Sequence, residues 1–219
     1  GGGLVMLSVD AASWQGMGGH VLAEALPGGE GRLRRIAVHE AGHLLIAEQE
    51  QMPVQRVLVG TLACLQAGLR SSGATEFPVP DSVRMPLEDL RRWSRVLQAG
   101  IAAETVVFGK ARGGADDRAL LGQLWGLSGH DVATAQREQR RARREIEQLL
   151  RRDQADLSQR ADQLLSSARD WAETLEALLQ AGIAAETVVF GKARGGADDR
   201  ALLGQLWGLS GHDVATAQR

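Results

Sequence analysis

His39, Glu40 and His43 stand in the run IAVHEAGHLLIA, residues 36–47, whose other members are all apolar or small. Two histidines four residues apart lie one helical turn above each other on an α-helix and can aim both imidazoles at a single ion. This HExxH spacing suits zinc, which takes neutral imidazole nitrogens at about 2.0–2.1 Å and, in catalytic sites, leaves a position for water. Glu40 would then act as general base on that water, whose pKa the metal brings toward neutrality. The expected chemistry is hydrolysis by metal-activated water. The competing reading is a chance HExxH on an amphipathic helix, with its imidazoles solvated or satisfied in the core.

That chemistry requires a helix, and the apolar spacing supplies one. Leu33, Ile36, Ala37, Ala41, Leu44 and Ala47 recur with Glu40 at helical intervals, which predicts a helix over 32–51 that Pro53 closes. VQRVLVGTL, residues 54–62, is rich in β-branched residues and reads as a strand, with Gly60 marking a bulge or a close backbone approach. Two roles are open to it: an exposed edge that pairs with an extended substrate, or an ordinary covered strand. A second short strand is expected over 74–79. Pro86 suits the first turn of a helix running through Leu90, Trp93 and Leu97 to Phe108, with Gly109 as its stop. KARGGADD reads as a loop before a short helix to about Leu127, and Asp131 as the N-cap of the next helix. Residues onward to about 179 read as helical, with a turn near 152–157. The fold class is therefore mainly α with a small β-sheet (α+β), an HExxH zinc-peptidase helical domain.

With 219 residues, 44% hydrophobic and 24% charged, the composition is that of a globular chain, and its net charge of −2 gives no broad attraction to nucleic acid or anionic membrane. The apolar runs 54–62 and 101–108 fall short of the roughly 20 residues that span a bilayer. GGGLVMLSVD shows no basic region followed by a long apolar core, so no signal peptide is read. A single cysteine, Cys64, excludes an internal disulfide, fits a reducing, cytoplasmic location and is expected to be a small buried hydrophobe. His130 reads as a helix-start residue and His20 as part of a loop. REQRRARREIEQLLRR reads as a solvated helix face, since its glutamates interleave with arginines at helical ion-pair spacing. Trp93, Trp125 and Trp171 fall in apolar helical patterns and are expected in the core.

Residues 97–137 recur letter for letter at 179–219. Ancient repeats drift while keeping their apolar pattern, so a solenoid is not read here. The expected organisation is a loop-rich segment over 1–30, a zinc-peptidase-like domain over 31–178, and an artefactual or dispensable tail over 179–219. The tail repeats Asp116 and Asp117 as Asp198 and Asp199 but carries no HExxH of its own.

AVHEAGHLLIA closely resembles the AxHEAGHAxxA signature of the FtsH-type ATP-dependent zinc metalloproteases, specifically their peptidase domain. MPVQRVLVGT is similar to that family's strand after the motif helix, and AGIAAETVVFG to its GGRAAExxxFG helix. GGADDRALL stands where the family carries TTGASNDLxxAT, whose aspartate supplies the third zinc ligand. The resemblance thus implies Zn2+ held by His39, His43 and Asp117, with Glu40 catalytic. Asp116 stands in place of the family's asparagine and Arg118 in place of its leucine, and the threonines are absent, so Asp116 is a rival ligand. REIEQLLRRDQADLSQRADQLLSSARDWAETLEALL is similar to the domain's helical C-terminal half. No GxxxxGK[ST] phosphate loop occurs in these residues, so a stand-alone peptidase is implied. It would cleave peptides or unfolded protein, alone or with a separate ATPase or a sister protease, as a monomer or homo-oligomer. The alternative is a non-proteolytic assembly or adaptor module related to the same proteases.

Overall fold

The computed structural model describes residues 29–78 and 84–168, together with Met17, His20 and Glu24. The expected tail 179–219, nearly all of segment 1–30, and Trp171, Asp198 and Asp199 lie outside the described residues. The chain divides into two compact units, one over 33–165 and the other comprising 1–32 and 166–219. In the second, His20 is helical rather than in a loop, and Arg32 reaches both His20, at 2.5 Å, and Glu24, at 3.6 Å.

The motif helix α1 runs Gly29–Gln49, starting earlier and ending sooner than its apolar spacing suggests. It ends ahead of Pro53 because the amide of Met52 turns back to the carbonyl of Ala47, with Gln51 at φ 55°. Strand β1 (Arg56–Val59) is shorter than the expected 54–62. Gly60, at φ 99°, ends it by turning the chain directly into a helix, α2 (Thr61–Gln66). Cys64 lies on that helix, fully buried as expected.

Strand β2 (Gly73–Glu76) pairs antiparallel with β1, Arg56 opposite Glu76 and Val59 opposite Gly73. Among the described residues these two strands are the whole sheet. The fold is accordingly mainly helical with a small two-stranded antiparallel sheet.

Helix α3 (Leu87–Phe108) begins right after Pro86 and carries Glu88 and Asp89 in its first turn, where the helix dipole favours acid. Gly109 stops it in the left-handed conformation, φ 74°, its amide bonded to the carbonyl of Thr105. After a loop, α4 (Ala115–Leu127) has Asp116 and Asp117 in its first turn. Asp131 caps α5 (Val132–Arg152) by accepting the amide of Thr134 at 2.9 Å. One turn residue, Asp153, separates α5 from helical residues 154–168, inside the window where a turn is expected.

The core cluster joins Leu90 and Leu97 of α3, Leu121 and Trp125 of α4 and Ala135 of α5, with Trp93 partly buried against it. The Trp125 indole N–H donates to Ser94 Oγ at 2.9 Å, so the buried ring leaves no donor unmet. On α5, Arg141–Glu145 and Arg143–Glu147 form the expected i,i+4 pairs, while Glu138 pairs with Arg91 of α3. No helix among the described residues is long and apolar enough to cross a membrane.

Candidate metal centre

Helix α1 places His39, Glu40 and His43 in the interior, at 8%, 5% and 3% exposure. The two imidazoles lie one turn apart with ring centroids at 4.9 Å. Each has its Nδ1 occupied from outside the motif. His43 Nδ1 lies 2.8 Å from the carbonyl of Val96 on α3. A carbonyl only accepts, so Nδ1 of His43 carries a proton and Nε2 is the ring atom left to face the interior. His39 Nδ1 lies 2.8 Å from Glu104 Oε1, also on α3.

Both Nε2 atoms consequently face one carboxylate oxygen, Asp117 Oδ2, at 3.1 Å from His39 and 3.5 Å from His43. One ligand atom from each of the three residues can be chosen so that all lie within 4.8 Å of one another. Bonds of about 2.0–2.1 Å around a tetrahedral ion put neighbouring ligand atoms roughly 3.3 Å apart, a value the two nitrogen–oxygen distances bracket. Two nitrogens and a carboxylate, each nitrogen fixed through its opposite ring edge, are a donor set that fits a divalent transition metal. Asp116, the rival in sequence, is exposed and outside the cluster. His130 is outside it too, its ring edge-on to Trp125 at 5.4 Å.

Asp117 arrives on the first turn of α4, and the loop before it is held by Glu104. That carboxylate is 1% exposed and accepts four bonds: from His39 Nδ1 and the amide of Gly113 on Oε1, and from Arg35 Nη1 and the amide of Arg112 on Oε2. Burial alone would raise its pKa, but the bonds from His39, Arg35 and Arg112 outweigh that and hold it at about 2. In the same way burial would lower the pKa of His39, yet the Asp117 and Glu104 carboxylates hold it up at about 10. Asp117, despite its burial, is kept well below the usual carboxylate range by the two histidines. His39 is thereby favoured as a cation between two carboxylates, and a metal cation would answer the same charge.

Space around the rings is set by glycines. A Cβ at Gly100 would fall 2.3 Å from His39 Nε2, and one at Gly42 would fall 2.7 Å from both Ala103 Cβ and the carbonyl of Ala99. Gly42, inside HEAGH, thus lets α1 and α3 meet at backbone distance.

Glu40 is not one of the three clustered donors. Its Oε2 accepts from Thr75 Oγ1 of β2 at 2.7 Å, and a Cβ at Gly73 would strike its Oε1 at 2.5 Å. Burial pushes its pKa up, and the two histidines oppose that. A buried carboxylate of raised proton affinity beside a metal-competent cluster is equipped to take up a proton. Reading of the sequence missed Glu104, Arg35, Gly100 and Thr75. The available signal for Glu104 was its place among Ile101, Ala102 and Ala103 in a buried helical run, since a buried carboxylate needs partners.

No protein-family model matches the chain, and no curated protein matches it significantly.

Proposed function

We propose that this chain is a zinc metallopeptidase, similar in its motifs to the peptidase domain of the FtsH-type proteases. The observation that carries the reading is the convergence of His39 Nε2 and His43 Nε2 on Asp117 Oδ2 with Glu40 buried beside them. When bound, zinc supplies Lewis acidity toward a peptide carbonyl and lowers the pKa of a water to near neutrality. Glu40 receives the proton of the attacking water and passes it to the departing amine, its Oε2 held meanwhile by Thr75. Glu104 and the carbonyl of Val96 keep both histidine Nε2 atoms turned inward throughout.

The strand that touches Glu40 is β2, through Thr75. Gly60 and Ser72 form a hydrogen-bonded pair of the ladder, which by the register makes Val57 and Thr75 an unbonded pair. The backbone N–H and C=O of Thr75 point away from β1, where an extended peptide can pair with them. Substrates are therefore peptides or unfolded segments, supplied directly or by a separate ATPase or sister protease.

The test compares wild type with Glu40→Gln for zinc content and for cleavage of casein and a fluorogenic peptide. Both proteins should hold about one zinc per chain, and the variant should lose about 10²–10⁴-fold in rate. Absence of zinc from wild type after zinc is supplied would overturn the reading. Zinc without cleavage of several unfolded substrates would favour the assembly or adaptor role.

A further inference from the structure

Arg35 is one turn before His39 on α1 and outside the HExxH motif, yet it makes three contacts that converge on the metal centre. Its Nη1 lies 2.8 Å from Glu104 Oε2 and 2.8 Å from the carbonyl of Lys110, and its guanidinium carbon stands 4.2 Å from the centroid of the Phe108 ring. Phe108 ends α3, and Lys110 opens the loop that leads to Asp117. Glu104 carries the bracket further, taking the amides of Arg112 and Gly113 at 2.8 Å and 3.0 Å while its Oε1 holds His39 Nδ1.

We infer that Arg35 is a positioning residue of the metal centre, which with Glu104 pins the loop over 110–113 so that Asp117 reaches the two histidines. The inference rests on the metal-site reading above but concerns a different residue and a different act: delivery of the third ligand. Two features set this pairing apart from the other arginine–carboxylate contacts. Its carboxylate is 2% exposed in the side chain and its arginine 21%, whereas most pairs elsewhere have a partner more than a third exposed. It is also the pair whose carboxylate touches a clustered histidine directly. The loop has no regular structure between Gly109 and Ala115, so side-chain and backbone tethers must supply the order that secondary structure does not. Of the tethers on 110–113, one comes from Arg35 itself and two from the carboxylate it neutralises.

The test is a double-mutant cycle read by zinc affinity, measured by competition with a chromophoric chelator, with each variant's thermal melt recorded. Arg35→Met keeps an unbranched apolar stem against Phe108 and removes the donor, and should weaken zinc binding about 10- to 100-fold, the range for loss of an outer-shell partner. In an Asp117→Ala background the same change should cost less than about threefold, because the ligand it delivers is gone. Arg35→Lys, which retains a cationic donor, should recover most of the affinity, and Arg35→Leu, which also removes the donor, serves as the test if the methionine variant does not fold. An Arg35→Met or Arg35→Leu variant that binds as tightly as wild type while Asp117→Ala does not would overturn the inference and leave the metal site standing. Equal losses in both backgrounds would also overturn it, by showing a general effect on the fold. A wild type that binds no zinc would remove the metal-site reading and this inference with it.

Discussion

Gly100→Ala should empty the metal centre without unfolding the protein. The added methyl carbon would sit 2.3 Å from His39 Nε2, 2.4 Å from Cδ2 and 2.6 Å from Cε1. The near equality of these distances places it against the face of the ring. Carbon contacts settle at about 3.5–4.0 Å, so the imidazole would have to withdraw by about 1 Å. From 2.8 Å, a shift of that size takes His39 Nδ1 out of hydrogen-bond range of Glu104. It also exceeds by several fold the roughly 0.2 Å within which metal–ligand distances are held. One of three protein ligands is then lost, and zinc affinity should fall by more than about 100-fold, beyond the range for an outer-shell change. Alanine favours a helix interior by up to about 1 kcal/mol over glycine, while overpacking costs about 1–3 kcal/mol, so the net destabilisation is between zero and about 2 kcal/mol. Chelator competition and a circular-dichroism melt read the two effects separately. Gly122→Ala is the control, because a Cβ there meets nothing within 4 Å. Wild-type zinc affinity in Gly100→Ala would refute the reasoning, since it would mean that His39 is not held where a ligand must be.

Other expectations follow from the same geometry. Asp117→Ala should weaken zinc binding at least about tenfold more than Asp116→Ala, as titration of the two variants would reveal. With His39 held up at about 10 in the metal-free fold, zinc entry at neutral pH must expel its proton, so affinity should keep rising about tenfold per pH unit from about pH 7 to 9. The sign is that of a raised base: the competing proton is fully bound below the ordinary histidine value and leaves only toward pH 10, so a plateau above neutrality would contradict it. Truncation after Leu178 should leave zinc content unchanged; its loss would assign the third ligand to the repeated tail.

The sequence makes the motif helix and α3 legible because their apolar residues keep one period over five turns or more and their ends carry Pro53, Pro86 and Gly109. It hides α2, since Thr61 and Leu62 continue the apolar, β-branched composition of β1, and only the positive φ of Gly60 separates them. The two histidines announce themselves by spacing within one helix. Asp117 does not, as 73 residues and four elements lie between it and His43, and its assignment from sequence depends on resemblance. Glu104 and Arg35 are less visible still. An arginine on a helix and a glutamate among alanines are ordinary letters until the crossing of α1 and α3 brings them to 2.8 Å.

The crossing at Gly42 has a consequence for anyone mapping this site by mutation. HEAGH interleaves two kinds of residue: His39, Glu40 and His43 answer to reactivity, while Ala41, fully buried, and Gly42, against Ala99 and Ala103, answer to clearance. A saturation screen scored on activity would return all five as intolerant and invite the conclusion that all five are chemical. Scored on chelator-resistant metal content and on thermal midpoint together, the two kinds would part: replacements at Glu40 would spare the metal, and enlargement at Gly42 would forfeit metal and midpoint alike.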